Sequence, residues 1–140
     1  MEYLLDTMVL AEPARPAPDA GVVAWLRAQS PLALAISVLT LGEIAKGVAS
    51  LATGRRRDAL EAWLEIELPR QFAGRVLPVD AAVALAWGRL AAEGQCGGRP
   101  LPVIDGLLLG TAATHGLTLV TRNERDCRDR GVPVHNPWSP

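Results

Sequence analysis

The chain has 140 residues, 49% of them apolar and 21% charged, and its 14 basic and 15 acidic residues leave a net charge of −1. That length suits one domain, read as residues 1–140, whose core needs no disulfide staples. The charge balance argues against a binder that relies on bulk positive charge, and four Trp, Tyr3 and Phe72 are too few aromatics for stacked platforms on bare bases.

Short apolar runs alternate with longer helical patterns along the chain. Tyr3–Asp6 opens with a short strand-like run. Glu12 to Gly21 carries Pro13, Pro16 and Pro18 and reads as a surface loop or the approach to a helix. Asp19 can cap a helix through Val22, Val23, Trp25 and Leu26. Leu34–Ser37 is a second strand, and Leu41, Ile44, Ala45, Val48 and Leu51 then fall at helical spacing, with Gly54 as the stop. Arg55 to Leu68 reads as one helix with Leu60, Trp63, Leu64 and Leu68 on one side. Val76–Val79 is a third strand, and Pro78 suggests a sheet edge. Ala81 to Glu93 is helical, Gln95–Pro100 is a Gly-rich break, and Gly106 to His115 is a helix closing on Gly116. Leu117–Thr121 is a strand, and Val132–His135 is a last short one. Strands separated by such helices mean βαβ units, a parallel sheet and an α/β fold.

Several classes are disfavoured. No apolar run approaches the roughly 18 residues of a spanning helix, and the acidic start MEYLLD is unlike a signal peptide, so a cytoplasmic protein without membrane contact is expected. Cys96 and Cys127 lack pairing or CxxC spacing and read as free thiols. His115 and His135 lack zinc-motif spacing, and no Gly-rich nucleotide loop is present.

In an open parallel sheet, ligands sit beyond the carboxyl ends of the strands. Asp6 follows the first strand. Ser37 follows the second, with Glu43 six residues on. Asp105 opens the helix before the Leu117 strand, and Thr121, Asn123 and Asp126 follow that strand. Each has a plain alternative: Asp6 and Asp105 as helix caps, Thr40-Leu-Gly-Glu43 as a capping box, Asp126 as a solvated charge. Jointly these alternatives do poorly. Asp6 and Asp105 lie in apolar sequence, YLLDTMVL and LPVIDGLLLG, with no Lys or Arg within four residues. A buried carboxylate costs several kcal/mol unless something positive or hydrogen-bonding faces it. A divalent cation would supply that charge, and hard oxygen donors select Mg²⁺ or Mn²⁺.

These residues resemble the motifs of a known family. MEYLLDTMVL is similar to the opening strand and Asp-Thr of PIN domains. Ile36-SVLTLGEIAKG resembles the second strand and helix of the VapC and FitB-like toxins. Pro102-VIDGLLLGTAATHGLTLVTRNERD resembles their second half. The likeness runs from residue 1 to about 135. It implies a three-layer α/β/α sandwich with a central parallel sheet, and a Mg²⁺- or Mn²⁺-dependent endoribonuclease acting as the toxin of a type II toxin–antitoxin pair. Carried over, Asp6, Glu43 and Asp105 match the core acids, Asn123 and Asp126 share the fourth position, and Thr121 matches the hydroxyl near the metal. Asp6, Glu43, Asp105 and Asp126 are then the metal ligands. Thr121 and Asn123 would orient a water or a phosphate oxygen. The resemblance also implies an RNA substrate, a cognate antitoxin that inserts a basic side chain among the acids, and a homodimer. Met8 stands where members usually carry Asn.

The partners imply surfaces. Trp25, Trp63 and Trp87 read as core residues, with at least one available to line a groove or a dimer contact. Among the arginines, Arg122 stands beside the last motif and is the best placed to meet RNA. Three rivals share parts of the pattern. A phosphoaspartate enzyme needs an Asp where Met8 stands, or a late Lys where none exists. A noncatalytic binding module would have lost a core acid. A PIN-type nuclease without a toxin role remains the nearest alternative.

Overall fold

Tyr3–Leu5 forms strand β1 in the computed structural model, which describes residues 1–140. Leu34–Ser37 is β2, Val76–Leu77 is β3, Thr118–Val120 is β4 and Val134–His135 is β5. All neighbouring strands run parallel, in the order β3-β2-β1-β4-β5. The chain therefore builds outward from β1 to β3, then crosses back to lay β4 on the other side of β1. That reversal makes a switch point between β1 and β4, where open sheets leave a crevice. Leu5 pairs with Val120 there, so Asp6 and Thr121 leave the sheet side by side.

The helices are α1 (Thr7–Ala11), α2 (Ala20–Ala28), α3 (Val38–Ala49), α4 (Arg55–Ala62), α5 (Leu68–Gln71), α6 (Ala81–Cys96), α7 (Val103–His115) and α8 (Glu124–Cys127). Successive strand residues face opposite ways, and the core divides accordingly. Leu4, Ala35 and Leu119 pack with Leu108, Leu109 and Ala112 of α7. Leu5, Ile36 and Val120 pack with Val9 of α1, Val22 of α2, Leu68 and Phe72. Both faces of the parallel sheet are covered, as such sheets require, and the result is the expected three-layer α/β/α sandwich. Strand β3 lies at an edge, where Pro78 suggested it would.

Several element boundaries differ from the sequence reading. Helix α3 starts earlier than the Leu41 spacing implies, because Ser37 Oγ accepts the Leu39 N–H at 3.0 Å and caps it. Thr40-Leu-Gly-Glu43 is therefore no capping box, and Thr40 is fully buried inside the helix. Gly54 does not end this helix either. It stops at Ser50, whose hydroxyl donates to the Lys46 carbonyl at 2.8 Å, and Gly54 instead precedes α4. Arg55 to Leu68 is not one regular helix. A wide turn over Trp63–Glu67 separates α4 from α5, with the Leu68 N–H reaching back to the Trp63 carbonyl. Pro69 accounts for it: its ring crowds the carbonyl four residues earlier and it donates no hydrogen bond. Within the proline-rich stretch, Glu12–Ala14 makes a single 3₁₀ turn. Helix α7 begins at Val103, ahead of the expected Gly106, and α6 runs on past Glu93 to Cys96, into the expected break. The short α8 was not expected.

Helix α7 carries Asp105, and close packing against α6 sets its height. Gly106 and Gly110 lie one turn apart on one face. A Cβ at Gly106 would stand 2.7 Å from Trp87 Cδ1, and one at Gly110 would stand 3.0 Å from the Val83 carbonyl oxygen. Gly106→Ala is expected to cost about 1–3 kcal/mol, as overpacking does, read as a lower urea midpoint. An unchanged midpoint would mean that the Trp87 indole moves aside freely. No helix is long and apolar enough to cross a membrane.

Candidate active site

Asp6 ends β1 and caps α1. Its Oδ1 accepts the Thr7 N–H at 2.7 Å, and its Oδ2 accepts the Thr121 hydroxyl at 2.8 Å. Thr121 is buried at the end of β4. The Thr7 hydroxyl donates to Glu43 Oε1 at 2.7 Å and stands 3.2 Å from the Thr40 hydroxyl. Glu43 is thus brought from the second turn of α3 to the end of β1. Asp105 lies in the first turn of α7, where Pro102 holds the cap position, so it is not a cap.

Asn123 links the remaining acids. Its Nδ2 donates to Asp105 Oδ2 and to Asp126 Oδ2, both at 3.0 Å. Its Oδ1 accepts the Asp126 N–H at 3.4 Å, and its own N–H donates to the Thr121 hydroxyl at 3.1 Å. All six candidate residues therefore join one hydrogen-bonded network, from Glu43 through Thr7, Asp6, Thr121 and Asn123 to Asp105 and Asp126. Thr7 and Thr40 are members of that network; the Asp-Thr motif marked Thr7, while Thr40 was hidden by its misleading capping spacing. Both amide protons of Asn123 are directed at carboxylates, which makes it a holder of acids in this structure.

The acids are less buried than their apolar sequence neighbours suggested. Asp6, Asp105 and Asp126 are half-buried and Glu43 is exposed. The neighbours Leu5, Val9, Leu108 and Leu109 turn into the core, and the carboxylates stand where the elements diverge at the sheet's edge. Met8 is exposed.

No cation neutralises this group. The only ion pairs in the chain are Arg15–Glu12, Arg57–Glu61 and Arg128–Glu124. Burial raises the Asp105 carboxyl above its ordinary pKa, and the charges of Asp6, Asp126 and Glu43 add to that, against the Asn123 hydrogen bond. Burial pushes the thiol of Cys127 up to about 12, and the charges of Asp105, Asp6 and Asp126 add to it. It stays a neutral thiol near pH 7. Neither imidazole joins the network: His115 lies at the far end of α7, and the His135 ring lies tilted against Trp25 at 5.3 Å while its carbonyl accepts the Thr121 N–H at 3.0 Å.

An all-oxygen donor set without a positive partner fits a hard divalent cation in its chemistry. No three of these side chains are drawn together closely enough to cage an ion on their own. Asp6, Asp105, Asp126 and Glu43 are the residues that could hold one.

The tryptophans divide by role. Trp25 and Trp63 lean half-buried on the second core, and Trp87 faces Gly106. Trp63 also lines a cleft of about 420 Å³ beside α1 and α2, together with Leu10, Leu26 and Phe72.

The chain resembles known proteins along nearly all of its length. The sequence profile of the PIN domain matches residues 3–130. Toxin FitB of Neisseria gonorrhoeae is 37% identical over 96% of this chain and 97% of its own. VapC ribonuclease Y4jK of Sinorhizobium fredii is 34% identical over 98% of both chains. Among solved structures, FitAcB from Neisseria gonorrhoeae superposes with a TM-score of 0.93 at 36% identity, covering 99% of each chain.

Proposed function

The chain belongs to the PIN domain family, and from that premise we propose that it is a Mg²⁺- or Mn²⁺-dependent endoribonuclease serving as the toxin of a toxin–antitoxin pair. The observation that carries this reading is the acid network without a cation at the β1–β4 switch point. Asp6 and Asp105 would hold the ion with Asp126 and Glu43. When bound, such an ion supplies Lewis acidity, acidifying a water and offsetting charge on the phosphate.

The protein's own groups prepare the site. Thr121 and the Thr7 N–H each donate to one oxygen of Asp6 and fix its plane. Thr7 holds Glu43 at the site's open side. Asn123 keeps Asp105 and Asp126 apart at a set distance from one amide nitrogen. Positioning of this kind is what in-line phosphoryl chemistry asks of a protein. The names of two relatives, a toxin and a ribonuclease, support the same reading. An antitoxin segment would offer a basic side chain to the acids. A second copy of the chain is expected in solution.

Purified protein should cleave RNA only with Mg²⁺ or Mn²⁺ present, and Asp6→Asn should lose that activity while keeping its fold. Cleavage that survives Asp6→Asn would overturn the reading. Thr121→Val tests the support. It leaves Asp6 Oδ2 and the Asn123 N–H without their partner, at a cost of about 1–3 kcal/mol for a buried group. Cleavage should also fall about 10–100-fold, as when a residue that orients a metal ligand is lost. Equal rates for Thr121→Val and the parent would remove its positioning role.

A further inference from the structure

The C-terminal residues fold back across the carboxyl edge of the sheet. Ser139 donates to Asp19 Oδ1 from its N–H at 3.0 Å and its hydroxyl at 3.2 Å, and Ser139 Oγ accepts the Gly21 N–H at 3.1 Å. Gly21 leaves room for this segment, because a Cβ there would stand 2.7 Å from the Pro137 carbonyl oxygen. On the other side, Asn136 Nδ2 donates to Glu124 Oε2 at 3.1 Å, and Asn136 Oδ1 accepts the Trp138 N–H at 3.0 Å. Trp138 is thereby held half-buried against the second core.

The Arg122 guanidinium carbon lies 5.3 Å from the centre of the Trp138 ring. Arg122 is exposed and has no carboxylate partner. Two of its neighbours in the last motif are engaged otherwise, while Arg125 is exposed and makes no ion pair. Arg128 pairs with Glu124, and Arg130 donates to the carbonyls of Asp126 and Arg99. In the chain, Arg122 stands between Thr121 and Asn123, which bind Asp6 and Asp105. A guanidinium laid on an indole is ordered without using its N–H groups, which stay available for bidentate binding of a phosphate.

We propose that Trp138 and the segment carrying it hold Arg122 as a phosphate-binding cation at the rim of the acidic site, where it takes a phosphate of the RNA strand beside the bond that is cut. The identity of the ligand rests on the nuclease reading. Trp138 is here a positioning residue, acting through Arg122.

The test measures binding of a labelled single-stranded oligoribonucleotide of mixed sequence in an Asp105→Asn background, across a range of salt. Arg122→Gln should weaken binding roughly five- to tenfold and lower the salt slope by about 0.7, the share of one phosphate on a single strand. Trp138→Ala and Ser139→Ala should weaken it in the same direction, and Trp138→Phe should restore most of the loss. The double variant Arg122→Gln/Trp138→Ala should bind no worse than Arg122→Gln alone, because the two act as one unit. In the cleaving protein the loss from Trp138→Ala should fall on KM and not on kcat. Losses that multiply in the double variant, or a fall in kcat alone, would overturn the proposal. Should Trp138→Ala fail to fold, Ser139→Ala combined with Arg122→Gln makes the same comparison. A parent that binds RNA through Trp138 but never cleaves it would sink the nuclease reading and leave the contact standing.

Discussion

Asp105→Asn is expected to do two opposite things: to lower RNA cleavage at least about 100-fold, as loss of a metal ligand does, and to raise the melting temperature of the metal-free protein. The first follows from the place of Asp105 in the acid network. The second follows from its electrostatics. Burial, Asp6 and Asp126 raise its pKa above the ordinary carboxylate value. An acid whose pKa is higher folded than unfolded binds its proton more tightly when folded. Its penalty is absent below the unfolded pKa, grows as pH rises towards the folded pKa, and is complete above it. The metal-free protein bears all of it once the pH lies above the folded pKa. Asparagine keeps an oxygen to accept the Asn123 amide and removes the charge. Thermal melts in EDTA read the effect directly. A lower melting temperature for Asp105→Asn would show that the carboxylate stabilises the fold and that like-charge crowding is not what dominates there.

Removing divalent cations should abolish cleavage, and returning Mg²⁺ or Mn²⁺ should stabilise the fold. An ion that binds only the folded chain adds about 2.7 kcal/mol at a hundred times its Kd. That gain should grow as pH rises through the Asp105 pKa, because the proton and the ion compete for the same oxygen, and should level off above it. Thermal shift against Mg²⁺ concentration at several pH values measures this. Cleavage undiminished in excess EDTA would end the metal-dependent reading. A melting temperature indifferent to Mg²⁺ would place the ion elsewhere than on these acids.

The acids were legible in the sequence for a physical reason. Asp6, Glu43 and Asp105 follow apolar runs at places where a parallel sheet presents its edge. Their surroundings were less legible. Apolar neighbours suggested burial, but residues next to one another in a strand or a helix turn point different ways, and the carboxylates proved half-buried or exposed. Thr40 matched a capping pattern three residues from Glu43, yet Ser37 is the cap, because its side chain precedes the first helical turn and Thr40 lies inside it. Pro69 carried the information that the Arg55–Leu68 helix would widen, and its effect falls several residues upstream, where a reading by apolar spacing does not look.

By itself the sequence determined the order of the strands and of the longer helices between them, the parallel sheet and the chemical type of the candidate site, because periodicity, caps and turn residues act over a few positions. Only the tertiary structure decided which of those residues meet. The Thr121 hydroxyl reaches Asp6 across 115 positions of chain, and the Ser139 N–H reaches Asp19 across 120. The first contact is closed by the pairing of β1 with β4, and the second by the return of the C-terminal segment to α2. Neither leaves a local mark, since the hydrogen bonds that join them depend on sheet register and helix height and not on neighbouring residues. The same holds for the net charge of −1. Its near balance separates in space into an acid cluster with no cation at the switch point and basic residues elsewhere, with Arg122 stacked on Trp138.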